Sequence, residues 1–383
     1  MESKKGKSIF VLASEVGMVG GASKATLLLS QILVSVGHRV RLFVTLPPQP
    51  EVRAKLEECG VEITIPAYGR GWRWKIPQRL IALQIFIKAW RRAPAAIHVV
   101  SLSQEARHLL QLPTTAPVLL WETTEAQLNG KFVDNKIHKH IHKAAAVLAP
   151  SKAIARNVRS TYKFNGSIRL LPFWAEEPAT GSDSAFPRTN EILYIGRLDT
   201  DKGFEYLFVA FGQLSASHPA AKLIVCGGGP VEPIRKLANN HPAIEVRGFV
   251  DAEEYQRLMN RCEAFVLPSL HEGYPLSLLE ACAHGKPVIS TTVGSIPEVF
   301  GDRACALLVP PKNSAALAEA VGQLLDENGD TYSKRSLDAR RLFNEVSSPE
   351  IIRRYLSQVY SGAEMQSYIG TLASGAQELP NEL

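Results

Sequence analysis

The chain of 383 residues has little cysteine, no long apolar run and no even spread of charge. Its five cysteines (Cys59, Cys226, Cys262, Cys282, Cys305) fall at unpaired spacings. This excludes a disulfide framework and predicts reduced thiols in a cytosolic compartment, with Cys226 and Cys282 in the core. No stretch approaches the ~18 apolar residues of a membrane-crossing helix. The opening Met1-Glu-Ser-Lys-Lys-Gly-Lys-Ser8 runs directly into a strand, which reads against a secretory leader. Apolar content of 45% and charged content of 21% suit a globular protein of about two domains.

Charge is divided along the chain. Residues 1–175 carry 25 Lys and Arg against 10 Asp and Glu, a balance of +15, and residues 176–383 carry 18 against 27, a balance of −9. The first half is therefore expected to face something anionic. Within it, Arg70–Arg92 has seven basic residues, three tryptophans and no acid. Two readings fit: a helix lying in a membrane surface through Lys88, Arg91 and Arg92, or a domain helix with Leu80, Leu83, Ile87 and Trp90 as its core face.

Strand and helix signals alternate throughout. Ser8–Ala13 reads as a buried strand, and the glycine-bearing loop Glu15–Ala22 leads into an apolar-periodic helix, Lys24–Val36. The glycines at 17, 20 and 21 do not spell the dinucleotide fingerprint, but they allow close backbone approach to an anion. Further signals at Val40–Thr45, Glu51–Glu58, Val61–Ile65, Ala96–Ser101, Gln104–Leu112, Val118–Trp121, Asn135–Lys143, Ala145–Ala149 and Lys152–Tyr162 predict a doubly wound parallel sheet. His138 and His142 lie one helical turn apart, but nothing nearby completes a tetrahedral metal site, so a basic solvated helix is expected. A second alternation starts at Ile192–Ile195, Phe204–Leu214 and Leu223–Cys226.

The most informative stretch is Ala264–Glu280. Ala264–Leu267 reads as a strand, the chain turns through Ser269–Tyr274, and a helix restarts with Pro275 at its first position. Glu272 in the turn and Glu280 on the helix stand eight apart. Leu276, Leu279 and Ala283 are expected to face the sheet, and Ser277, Glu280 and His284 the crevice. Helix-start N–H groups at a sheet's carboxyl edge are where phosphates bind.

Continued by Ala281–Ile289, this string resembles the carboxyl-terminal signature of retaining glycosyltransferase family 4, which has the GT-B fold: Glu, seven residues, Glu. The resemblance implies that Glu272 contacts a donor sugar and Glu280 the ribose diol of a nucleotide sugar. It also implies that Gly20-Gly21 abuts the donor diphosphate and that Arg197 and Lys202, in Gly196–Gly203, clamp it. Arginine offers a planar fork to phosphate oxygens and lysine a compact charge. Backbone groups of Phe249 or Val250 are placed to read the base, and Gly273, Tyr274, Pro275 and Leu276 complete the donor contacts. Asp199-Thr-Asp201 spells a metal-binding string of another glycosyltransferase fold. It reads as a decoy beside Arg197 and Lys202, and the resemblance implies neither metal nor cofactor. Where many members have an acceptor-side histidine, this chain has Trp121-Glu122, and Glu122 is the nearest polar substitute. Pro172-Phe173-Trp174 replaces the usual Pro-Asn-Gly.

The expected architecture is α/β, with two Rossmann-like doubly wound domains facing a cleft. Residues 1–172 form an acceptor domain, 173–190 a linker and 191–346 a nucleotide-sugar domain; 347–361 form a helix crossing back, and 362–383 a frayed tail. The expected activity is metal-independent retaining transfer of a sugar from a nucleotide-diphosphate donor to a glycan or lipid-linked acceptor, for cell-envelope polysaccharide or glycolipid. An anionic membrane surface is a possible partner, nucleic acid is not, and the location is cytoplasmic or peripheral on the inner membrane face. An epimerase of the same fold and a silent sugar-nucleotide-binding module are the alternatives.

Overall fold

A computed structural model describes residues 6–17, 21–65, 78–123, 136–176, 178 and 188–360; the side chains of 78–81, 357 and 358 lie outside the description. The chain divides into two compact units, Met1–Pro172 with Ile352–Leu383, and Phe173–Ile351.

In the first unit the order is β1 (Ser8–Ala13), α1 (Gly21–Ser35), β2 (Arg39–Val44), α2 (Pro50–Glu58), β3 (Glu62–Thr64), α3 (Gln78–Arg92), β4 (Ala96–Val100), α4 (Gln104–Leu110), β5 (Val118–Trp121), β6 (Ala146–Ala149), α5 (Lys152–Tyr162) and β7 (Ile168–Leu170). The second unit begins with β8 (Glu191–Ile195), α6 (Phe204–Leu214), β9 (Lys222–Cys226), α7 (Val231–Ala238), β10 (Ile244–Gly248) and α8 (Ala252–Arg261). It continues with β11 (Ala264–Leu267), α9 (Leu276–Ala283), β12 (Val288–Thr291), α10 (Ile296–Phe300), β13 (Ala306–Val309), α11 (Ser314–Asp326) and α12 (Gly329–Val346). A last helix, α13 (Pro349–Val359), runs across the boundary between the units.

Among the described residues each unit has one sheet, seven strands in the order β3-β2-β1-β4-β5-β6-β7 and six in the order β10-β9-β8-β11-β12-β13. Every described pairing is parallel. Parallel strands are covered on both faces, so the central ones are largely apolar. β4, β5, β6, β11 and β12 are buried at every position. Helix starts follow capping chemistry, with Ser103, Ser151, Asp251, Asn313 and Asn328 each accepting a backbone N–H from the first turn.

The strand order reverses direction between β1 and β4 and again between β8 and β11. At such a point adjacent crossovers leave on opposite faces and open a crevice at the carboxyl ends. Within the second unit, that puts the loops after β8 and β11 side by side.

The stretch around His138 differs from the expected helix. It forms two single 3-10 turns, Ile137–Lys139 and Ile141–Lys143, separated by His140 at φ −128°. Each turn buries one isoleucine and leaves the basic side chains outside. Part of the expected linker is core: Phe173, Trp174 and Ala175 are buried, and Ser347 Oγ accepts from the Ala175 amide at 3.1 Å. The end of α13 packs with the first unit, where Lys7 Nζ donates to the Tyr360 carbonyl at 2.7 Å and the Tyr360 hydroxyl lies 2.5 Å from His98 Nδ1.

Candidate active site

Two loops of the second unit build the site. The first, Gly196–Gly203, is held by backbone contacts that exclude side chains. A Cβ on Gly227, at φ +150°, would lie 1.6 Å from the Gly196 carbonyl oxygen. The glycine-rich turn after β9 thus serves close approach to the neighbouring loop. The Leu198 amide donates to the Gly228 carbonyl at 2.8 Å, and the buried Tyr194 hydroxyl donates to the Arg197 carbonyl at 2.7 Å. Burial, then the charges of Glu272 and Asp201, push the Tyr194 phenol well above its ordinary range, so it stays a donor.

The second loop follows β11 and docks on the first. Gly203 sits at φ +69°, and a Cβ there would lie 2.2 Å from the Pro268 carbonyl oxygen. The Leu270 amide donates to the Asp201 carbonyl at 2.8 Å. Hydroxyls from the β12 side pin the same turn: Ser290 donates to the Leu267 carbonyl at 2.7 Å, Thr291 to that of Ser269 at 2.5 Å, and Ser295 to that of Gly273.

This scaffold brings Lys202 and Glu272 together. Lys202 Nζ donates to Glu272 Oε2 at 2.8 Å, and Ser269 Oγ donates to the same oxygen at 3.2 Å. Both side chains are largely shielded, which strengthens a charge-assisted bond relative to one in bulk water. Arg197, more exposed, is held by the two carboxylates of its own loop. Its Nη1 lies 2.8 Å from Asp199 Oδ2 and its Nη2 3.6 Å from Asp201 Oδ2. The Asp-x-Asp string therefore engages the loop's own arginine.

Pro275 is the residue before α9 and not its first helical residue, because its φ −84°, ψ 70° lies outside the helical region. Its carbonyl accepts from the Leu278 and Leu279 amides. Leu276, Leu279 and Ala283 are buried, as their spacing requires. Glu280, on the next face, meets a partner that the sequence pattern does not single out: Tyr255 on α8 donates its hydroxyl to Glu280 Oε2 at 3.1 Å. Burial, then the Glu280 charge, raises the Tyr255 phenol well above its ordinary range, so it too is a neutral donor. One turn further, His284 Nδ1 lies 3.2 Å from Asn260 Oδ1, extending the α8–α9 contact. Phe249 follows β10 with 66% of its surface exposed, and Val250 is half-buried before the Asp251 cap. Tyr274 is buried, its ring edge-on to Phe173 at 5.5 Å.

In the first unit, Gly20 lies outside the described residues. Gly21 opens α1, and a Cβ there would meet nothing within 4 Å, so packing does not require glycine at that position. Glu15 Oε1 accepts from Ser23 Oγ at 2.5 Å in the first turn of the helix. Glu122 directly follows β5 and is fully buried; its amide donates to the Leu148 carbonyl at 2.9 Å. Among the three basic residues expected at a membrane, Lys88 Nζ stands 5.4 Å from the Phe43 ring centroid and Arg92 Nη1 3.8 Å from Glu62, while Arg91 is exposed. The core-face reading of this helix fails for Leu83, Ile87 and Trp90, which are exposed; Ala82, Ile85 and Ala89 are buried in their place.

The two units are doubly wound parallel sheets, and the second pairs basic and acidic groups at its switch point. Known proteins share this architecture. Residues 181–341 match the family model "Glycosyl transferases group 1". Glycogen synthase of Mycobacterium tuberculosis is 24% identical over 389 residues, covering 91% of this chain and 92% of that protein. The MMP alpha-(1->4)-mannosyltransferase of Mycolicibacterium hassiacum is 32% identical over 179 residues, 45% of this chain and 43% of that protein. Among solved structures, sucrose-phosphate synthase from Thermosynechococcus elongatus superimposes with a TM-score of 0.74 at 19% identity, covering 94% of this chain and all (100%) of that one. HepE from Anabaena, solved with UDP and glucose, gives a TM-score of 0.74 at 15% identity, with 93% and 100% coverage. The chain has the GT-B fold, and residues 181–341 are similar to group 1 glycosyltransferases.

Proposed function

We propose that the protein is a retaining, metal-independent glycosyltransferase that moves a sugar from a nucleoside diphosphate to a hydroxyl acceptor. One observation carries the reading: Arg197, Lys202 and Glu272 lie on the loops leaving the carboxyl ends of β8 and β11, and Glu280 on the helix α9 that follows, at the switch point of the second sheet. Ligands of open parallel sheets bind there.

In this account Arg197 turns from Asp199 and Asp201 to the diphosphate, and Lys202 sits between the diphosphate and Glu272. The two cations, with the backbone N–H groups of Gly273 and Tyr274, stabilise negative charge growing on the leaving phosphate. Glu272 accepts from donor-sugar hydroxyls. Glu280, oriented by Tyr255, accepts from the ribose diol, and the backbone at Phe249-Val250 reads the base. The acceptor oxygen attacks the anomeric carbon on the face the phosphate leaves. Its proton passes to a phosphate oxygen, so the new glycosidic bond keeps the configuration of the old one. Glu122 lies on the acceptor side, and burial gives it a supporting part in shaping that wall. A glycan or lipid-linked acceptor is consistent with the charge of the first half, and with relatives that include a putative colanic acid biosynthesis glycosyltransferase of Salmonella typhimurium.

The test is incubation with a panel of nucleotide sugars, scoring nucleoside diphosphate release with and without extracted glycolipid. Acceptor-dependent release from one donor supports the proposal. Conversion of donor to an isomeric nucleotide sugar without acceptor would make the protein an epimerase instead.

A further inference from the structure

α3 is apolar on two faces, and the fold covers one. Ala82, Ile85 and Ala89 are buried against the first unit's core, whereas Leu83 is 40%, Ile87 39% and Trp90 69% exposed. At about 100° per residue, the exposed three form a stripe one residue wide along the helix, well over a right angle from the buried stripe. An exposed Trp in line with two aliphatics is unusual on a surface that meets only water.

The charges around the stripe are unequal. α3 contains no acidic residue. Arg91 projects beside the stripe on its polar flank, while Lys88 and Arg92 turn the other way, toward Phe43 and Glu62. Residues 1–175 carry the balance of +15. At 15 residues α3 is about 22 Å long, too short for a hydrocarbon core of about 30 Å. No helix among the described residues is long and apolar enough to cross a membrane.

We propose that α3 lies in the plane of an anionic lipid bilayer, with Leu83, Ile87 and Trp90 at the boundary of headgroups and acyl chains and Arg91 on the lipid phosphates. Aliphatic burial supplies the grip, the indole sits where one edge is wet and one apolar, and the positive field of the unit selects anionic lipid. The inference is independent of the donor site, because none of these residues belongs to it.

Sedimentation with vesicles of phosphatidylglycerol or phosphatidylcholine tests it on the full chain. The protein is expected to bind phosphatidylglycerol vesicles at low ionic strength and to release them as salt rises. The triple variant Leu83→Ser, Ile87→Ser, Trp90→Ser is expected to lose at least about tenfold in partitioning. Arg91→Glu is expected to weaken binding and flatten its salt dependence, with nucleoside diphosphate affinity and urea midpoint unchanged in both variants. Equal vesicle binding by the triple variant and the parent would overturn the proposal. So would absence of binding to phosphatidylglycerol, or a concentration-dependent dimer abolished by the triple substitution, which would make a second copy the occupant of the stripe.

Discussion

Lys202 Nζ lies 2.8 Å from Glu272 Oε2, across two loops that leave different strands of one sheet. The pair is intra-unit and shielded, so each partner removes the penalty of burying the other. Lys202→Ala and Glu272→Gln are each expected to lower turnover at least tenfold, about 1.4 kcal/mol of barrier. The double variant should fall short of the product of the two losses, since the groups act together. Steady-state rates of the three purified variants check this; additive losses would place the residues in separate roles.

Tyr255 donates to the carboxylate assigned to the ribose. Tyr255→Phe keeps the ring and removes only the bond. KM for the donor is expected to rise about threefold to tenfold with kcat nearly unchanged, the signature of lost ground-state binding. A change in kcat alone would remove Tyr255 from ribose recognition.

Arg197 is held by Asp199 and Asp201 before any ligand arrives. These exposed pairs are weak, so their loss costs little in stability, but they compete with a diphosphate for one guanidinium. Asp199→Asn should tighten nucleoside diphosphate binding about twofold to fivefold in calorimetry, the effect of removing a competitor worth roughly 0.5–1 kcal/mol. Weaker binding would mean that Asp199 orients Arg197 for the ligand. Turnover in chelator should equal turnover in magnesium, because the two cations carry the charge. Dependence on a divalent ion would return the aspartates to metal binding.

His98 is fully buried, and burial lowers its pKa to about 3. Its folded value lies below the unfolded one, so its contribution is complete above pH 6.5 and is lost as pH falls toward 3. Between pH 6.5 and pH 5 the loss from this one group is about 2 kcal/mol, at about 1.4 kcal/mol per unit. Urea titrations of the parent and His98→Gln across that range check the slope, which the variant should reduce.

Much of the fold was legible because parallel strands buried on both faces are written as short apolar runs, as in Val118–Trp121 and Ala264–Leu267. The turn holding Glu272 was legible from its residue types. Its anchors were not: Ser290, Thr291 and Ser295 bond carbonyls more than twenty residues away, and no spacing encodes such a contact. Tyr255 was hidden for the same reason, facing Glu280 only once α8 and α9 are neighbours. Periodicity located an apolar stripe on Gln78–Arg92 but picked the outer one. With alanines on the inner face and larger aliphatics outside, the pattern alone favours the wrong side.

The most direct measurement is the position of a nucleoside diphosphate soaked into crystals of the protein. The diphosphate is expected beside Arg197 and Lys202 and the ribose at Glu280, with Arg197 turned away from Asp199. A ligand lodged away from those three side chains would contradict it.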